Sequence, residues 1–223
     1  MFEMSLEDLN RIEKGVKKCW IYKDDLSREL AYDFLLKINY SIQDINYLLD
    51  NNQQVEKRTD VISIIVMICW IVESVRQYKS CLLPNLLDNF YFSKQEDLSK
   101  SYLFIKAIRS FIVAHPLNTD KHEKFGFDGD IICIDLRNKK PVPLRYGNND
   151  TKRISLDGIE RCGAEQDSDL YLCTYSRKAN AKFFQYYVVD FKEIIQVAKV
   201  YIEQLYEIDR YLSKLKKKNY AAK

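Results

Sequence analysis

Apolar residues recur at helical spacing over the first half of the chain, lose that period between residues 116 and 189, and regain it toward the end. Ser5 and Asp8 resemble a capping box, and Leu6, Leu9, Ile12 and Val16 keep helical spacing toward Trp20, so a first helix is expected there. A second begins near Asp24 or Asp25. It carries Leu30, Phe34, Leu35, Ile38, Ile42, Ile45 and Leu49 on one stripe before DNNQQ interrupts it. A long third helix is expected over about 55–79. Its run VISIIVMICWIV, at 61–72, is apolar apart from Ser63, which predicts burial with neighbours on several sides. That run is too short to span a bilayer. Ser93 and Glu96 form a further capping box, starting a fourth helix whose Phe104, Ile108, Phe111 and Ile112 share a face. Pro116 stops it, because proline pushes the residue before it, here His115, out of the α region.

Five of the six glycines lie between 116 and 189, where DIICIDL, DLYLCTYS and KFFQYYVV are short, β-branched and aromatic. These predict strands of a small antiparallel sheet, with RKANA as the hairpin loop between the last two. Asp190 and Glu193 then offer another box-like start. Phe191, Ile194, Ile195, Ala198, Tyr201, Ile202, Leu205, Ile208, Leu212 and Leu215 follow at helical spacing. A helix with so many apolar positions must pack on the others, which leaves the sheet as an insertion. The predicted fold is mainly α: an up-and-down bundle of about five helices forming a single domain over 1–223, with a β-rich insertion at 116–189.

Composition refines this picture. A hydrophobic fraction of 47% and an aromatic fraction of 13% are those of a folded chain. A net charge of +3 neither demands nor excludes a nucleic-acid partner, so local clusters must decide. The six cysteines are scattered without CxxC spacing, which predicts a reduced, cytoplasmic protein. The N-terminal MFEMSLEDLNRIEK is acidic and amphipathic, unlike a signal peptide, and no membrane association is expected. Without HExxH or CxxC, and with DGD at 128–130 too short for a calcium loop, no metal is predicted. FGFDG lacks the spacing of a phosphate-cradling loop and no GxSxG occurs, so no cofactor and no serine nucleophile are expected.

What remains is RSFIVAH, in which Arg109 precedes His115 by six residues near the end of the fourth helix. An imidazole titrating near neutrality can take the proton of a ribose 2′-hydroxyl, and a guanidinium can hold the phosphate oxygens as charge builds on them. Such cleavage needs an acid and a base on opposite sides of the phosphate. A twofold dimer that apposes two such helix ends supplies both.

On these residues the chain resembles the HEPN superfamily, helical bundles that carry an Arg, four to six residues and a His, often with a polar residue directly after the arginine. Arg109, Ser110 and His115 match that pattern, and the helical frame matches loosely. Ser110 stands where Asn, Asp or His is more usual, and the insertion at 116–189 is not part of the minimal bundle. The resemblance implies a metal-independent endoribonuclease with a composite site in a homodimer, of the kind found in toxin, phage-defence or stress systems. His115 is then acid or base, Arg109 the phosphate clamp and Ser110 a supporting contact, with RNA as substrate and an antitoxin or regulatory protein as a further partner. The family also holds non-catalytic binding members.

The same residues have structural readings. Arg109 suits a solvated position or an ion pair with another helix, and His115 a helix C-terminal cap favoured by the dipole. A plain helical scaffold is the third reading. His122, in NTDKHEK, is either a surface residue or a second acid. The insertion interleaves basic residues, among them Lys152, Arg153, Arg161, Arg177, Lys178 and Lys182, with Tyr146, Tyr171, Tyr175, Tyr186 and Tyr187. Of these, Arg177, Lys178 and Lys182 are the candidate RNA contacts. Strand tyrosines are also common core residues, and the terminal KLKKK complements the last helix dipole.

Overall fold

The computed structural model describes residues 19–50, 57–114, 131–136, 151–162, 168–175 and 184–221. Among them the protein is mainly helical, with a small sheet before the last helix. The helices are α1 (Asp25–Asp50), α2 (Arg58–Cys81), α3 (Gln95–Arg109) and α4 (Phe191–Ala221). The fifth helix expected from the sequence falls on residues 5–20, of which only the last two are described. Cys19 and Trp20 belong to a short 3-10 turn, Cys19–Ile21.

Two compact units divide the chain. One comprises Met1–Asn52, Met67–Leu98 and Ala198–Lys223, the other Gln53–Val66 and Ser99–Val197. In the first, Asp24 ends the approach to α1 by accepting the Ser27 N–H at 2.6 Å, an N-cap that holds its carboxyl below the usual range. Backbone bonds from Lys23 to Cys81 (3.2 Å) and from Leu83 to Ile21 (2.9 Å) tie this approach to the end of α2. Ala31, Leu35, Ile38, Ile42 and Ile45 on α1 are buried, as are Ile68, Ile71, Val72 and Val75 on α2 and Ala198, Tyr201, Ile202, Leu205, Ile208 and Leu212 on α4. On α1 and α4 these are most of the positions that the sequence period marks as core, but Leu30, placed on the α1 stripe by that period, is 40% exposed, and Phe34 and Leu49 are half-buried.

Polar contacts fix α4 within this unit. Lys94 pairs with Glu203 at 2.7 Å, Lys79 donates to the Gln204 side chain at 3.1 Å, and the Phe90 and Tyr211 rings meet edge to face at 5.5 Å. Burial lowers the Lys79 ammonium from its ordinary value, and Arg76 nearby adds to the effect. Burial also pushes the Tyr22 hydroxyl up to about 12; Tyr78 beside it partly offsets this, while Cys81 and Asp209 add to it.

The 61–72 run is less enclosed than its composition predicts. Val61, Ile64, Ile65, Ile68, Ile71 and Val72 are buried, yet Trp70 is 45% exposed and Ile62, Val66 and Cys69 are half-buried. One face of α2 reaches solvent. The Trp70 ring is roofed by Lys37 of α1, with Nζ 4.6 Å from its centroid, which gives an indole at the surface a partly covered environment.

In the second unit the strands are β1 (Ile131–Leu136), β2 (Thr151–Ser155), β3 (Gly158–Cys162), β4 (Leu170–Tyr175) and β5 (Phe184–Val189), in the order β1-β4-β5-β2-β3. The three strands read from the sequence form one antiparallel edge of this sheet: Cys133 faces Cys173, and Cys173 faces Tyr186. The sheet is nevertheless mixed, because β2 pairs with β5 in parallel, Thr151 opposite Tyr186. Leu170–Cys173 and Gln185–Val189 are buried at every position, so both faces of the two strands are covered here. That explains their near-continuous apolar character. The β2–β3 hairpin turns at Leu156–Asp157 and leaves through Gly158, whose φ of +131° an L side chain rarely adopts.

The start of α4 is capped differently from the reciprocal box that Asp190 and Glu193 predict. The Phe191 N–H donates to Asp169 at 3.0 Å. The Asp190 carboxylate instead accepts from Arg153 and from the Ser168 hydroxyl (2.9 Å), while Glu193 accepts the Leu156 N–H at 3.2 Å. Both acids bind the sheet and its turns: a charged donor and a hydroxyl compete with the helix's own amides for Asp190, and the Leu156 amide does so for Glu193.

Candidate functional site

α3 carries the predicted site. Its apolar residues Phe104, Ile105 and Ile108 are buried, which fixes the rotation of the helix and turns Arg109 outward to an exposed position. Arg109 is the last α-helical residue. The next five, Ser110–Ala114, continue as a π turn, in which hydrogen bonding widens from i+4 to i+5. The sequence predicts a plain helix up to the proline. A proline at 116 cannot donate a backbone hydrogen bond, and β-branched Ile112 and Val113 crowd the preceding turn, both of which weaken regular α geometry at this end. β1 lies against the π turn.

Ser110, which opens the turn, is half-buried. His115 and His122 lie outside the described residues, and so do Arg177, Lys178 and Lys182. Of the predicted catalytic set, the structure therefore places Arg109 and Ser110 side by side at the end of α3.

The charge environment distinguishes Arg109. Arg28 pairs with Asp25, Arg76 with Glu73, Arg153 with Asp190 and Arg210 with Glu207. Arg58 and Arg161 also have partners. Among the arginines whose side chains are described, Arg109 alone shows no ion pair or hydrogen bond to a described residue. The interhelical ion pair that one structural reading proposed for it is not formed with any described residue.

The tyrosines of the insertion follow the core reading where their side chains are described. Tyr171, Tyr186 and Tyr187 are 7%, 3% and 0% exposed, so their rings are closed to stacking with bases. Lys152 lies over the Tyr187 ring at 5.8 Å, and Arg153 is held by Asp190. Among the described residues no three His, Cys, Asp or Glu side chains gather as a metal site.

Sequence reasoning missed a groove of about 360 Å³ between α3 and the β2–β3 turn. Leu103, Phe104 and Ala107 line one wall, Ile154, Leu156 and Ile159 the other, and Lys100 meets Asp157 at the rim at 3.1 Å. The Asp-Gly dipeptide at 157–158 was the available signal for this hairpin. Arg109 is not among the lining residues, so the groove and the guanidinium are separate features of α3.

No family model matches the chain, and no curated protein and no solved structure matches it significantly.

Proposed function

We propose that the protein is a metal-independent endoribonuclease that acts as a cytoplasmic homodimer. In this reading the described helices and the helix expected over residues 5–20 form an up-and-down bundle of five, and two copies bring their α3 ends to one cleft. The observation that carries the reading is the exposed guanidinium of Arg109, without an ion pair to any described residue, at a helix end that widens into a π turn. A cation without an acid among the described residues is available to a phosphate, and π turns recur at functional sites.

The chemistry is transesterification. His115 of one copy takes the 2′-hydroxyl proton, the 2′-oxygen bonds to phosphorus, and the P–O5′ bond breaks. The histidine of the second copy protonates the departing 5′-oxygen. Arg109 holds the equatorial oxygens as charge accumulates, Ser110 supports the phosphate, and Arg177, Lys178 and Lys182 steer the RNA strand. The products are a 2′,3′-cyclic phosphate and a 5′-hydroxyl. An antitoxin or regulatory protein that covers the cleft would restrain the activity.

The exposed position of Arg109 also favours a second reading, a non-catalytic binding module or helical scaffold, because a cation at a helix C-terminus complements the dipole without any substrate. End-group analysis separates them. Incubation with mixed tRNA and mRNA in EDTA yields cyclic-phosphate termini if the enzyme reading holds; intact RNA, bound or not, leaves the second.

A further inference from the structure

On α1 the exposed face repeats with its own period. Leu26, Leu30, Asp33, Lys37, Tyr40, Asp44 and Tyr47 are all exposed, and their spacing of four, three, four, three, four, three is that of a coiled-coil seam. Leu26 is 64% exposed, Tyr40 59% and Tyr47 70%, and Trp70 adjoins the stripe where Lys37 covers it. The seam is about 31 Å long at 1.5 Å per residue. It lies on the face opposite the buried Leu35, Ile38, Ile42 and Ile45, so α1 is apolar on both sides. A purely solvated helix face has no need of leucines and tyrosines at heptad positions.

The charges within the stripe select the occupant. We propose that this face pairs with α1 of a second copy of the chain, antiparallel, about a twofold axis at Leu35. In that register Asp33 lies opposite Lys37 of the second copy, twice, and Leu30 lies opposite Tyr40, twice. A parallel arrangement sets Asp33 on Asp33, Lys37 on Lys37 and Asp44 on Asp44, three like-charge layers that oppose association. The antiparallel register carries one poor layer, Leu26 against Asp44. A single helix seam with Trp70 at its flank is smaller than the roughly 800 Å² per partner of a standard interface, so the association is of micromolar rather than nanomolar strength. The inference rests on the proposed function for its homodimer, to which it assigns the α1 face, but not on Arg109: sedimentation reads the association and RNA cleavage reads the chemistry.

Sedimentation equilibrium of the full chain from about 1 µM to about 300 µM tests it, the range in which so small an interface assembles. The expected result is a reversible monomer–dimer equilibrium that Leu30→Glu or Tyr40→Glu weakens at least about tenfold. Asp33→Lys likewise shifts the protein to monomer, and Asp33→Lys combined with Lys37→Asp restores the dimer. Both positions are exposed, so circular dichroism of the variants stays native. A monomer at every concentration overturns the proposal, as does a dimer indifferent to these changes. A loss of fold in Leu30→Glu also overturns it, since the stripe then belongs to the core of the chain itself.

Discussion

Asp190 is where the start of α4 is fastened to the sheet, and replacing it tests that junction. Its carboxylate accepts from Arg153 Nη1 and from Ser168 Oγ, and the two ionic side chains are only 17% and 15% exposed. Asp190→Ala leaves a largely desolvated guanidinium without its acid and Ser168 without an acceptor. A fully buried pair broken in this way costs about 3–5 kcal/mol and an exposed one at most about 1. The residual exposure of this pair sets the expectation at about 2 kcal/mol, with Ser168→Ala near 1. Urea unfolding followed by circular dichroism reads this as a midpoint lowered by roughly 1 M, for a slope of about 2 kcal/mol per M. A double-mutant cycle with Arg153→Met isolates the pair: the double variant recovers part of the loss, because neither charge is then left alone. A cost below about 0.5 kcal/mol with no coupling would refute the reasoning and make the pair an ordinary surface contact.

Further outcomes follow from the same geometry. Asp169→Ala removes the acceptor of the first α4 amide and is expected to cost about 1 kcal/mol in the same assay. Ile68→Ala, at a side chain with 0% exposure, is expected to cost about 2–5 kcal/mol, whereas Leu103→Ala, at 58%, is expected to stay within about 0.5. In alkali the folded chain keeps Tyr22 protonated up to about 12, above the unfolded value near 10. Its contribution is therefore fully present below pH 10 and is lost as pH rises from 10 to 12, with a steeper loss of fold than in Tyr22→Phe. Tyrosinate absorbance followed alongside circular dichroism checks this: ionisation of Tyr22 near pH 10 in a folded chain contradicts it.

The helices were legible because each buries one stripe, and burial of one stripe writes a 3.6-residue period into the sequence. Leu35, Ile38, Ile42 and Ile45 on α1 and Ile194 to Leu212 on α4 lie where that period puts them. The strands divided by burial. β4 and β5 are covered on both faces and read as apolar runs, whereas β3 is an edge strand of exposed and half-buried residues, Gly158 to Cys162, and β2 is polar at Lys152 and Arg153. Neither announces itself by hydrophobicity, so the parallel β2–β5 pairing was not foreseeable. The caps failed for a similar reason: Asp190 and Glu193 have the right spacing for a box, but partners distant in sequence compete for them. The 61–72 run shows the converse: its apolar Trp70 stands at the surface, with a lysine from another helix over its ring. For the candidate site, the period of α3 left Arg109 open to a solvated position or an ion pair, and only the structure shows that its end is a π turn and that the guanidinium meets no acid among the described residues.

RNA cleavage in EDTA by the wild type, by Arg109→Ala and by His115→Ala, with fold and oligomeric state checked for each, bears most directly on the central claim. Cyclic-phosphate products are expected from the wild type, with a loss of at least about a hundredfold in rate for each variant, as the removal of a phosphate clamp or a general acid–base costs. Cleavage by Arg109→Ala at the wild-type rate, or no cleavage of any RNA by the folded wild-type protein, would rule out the nuclease.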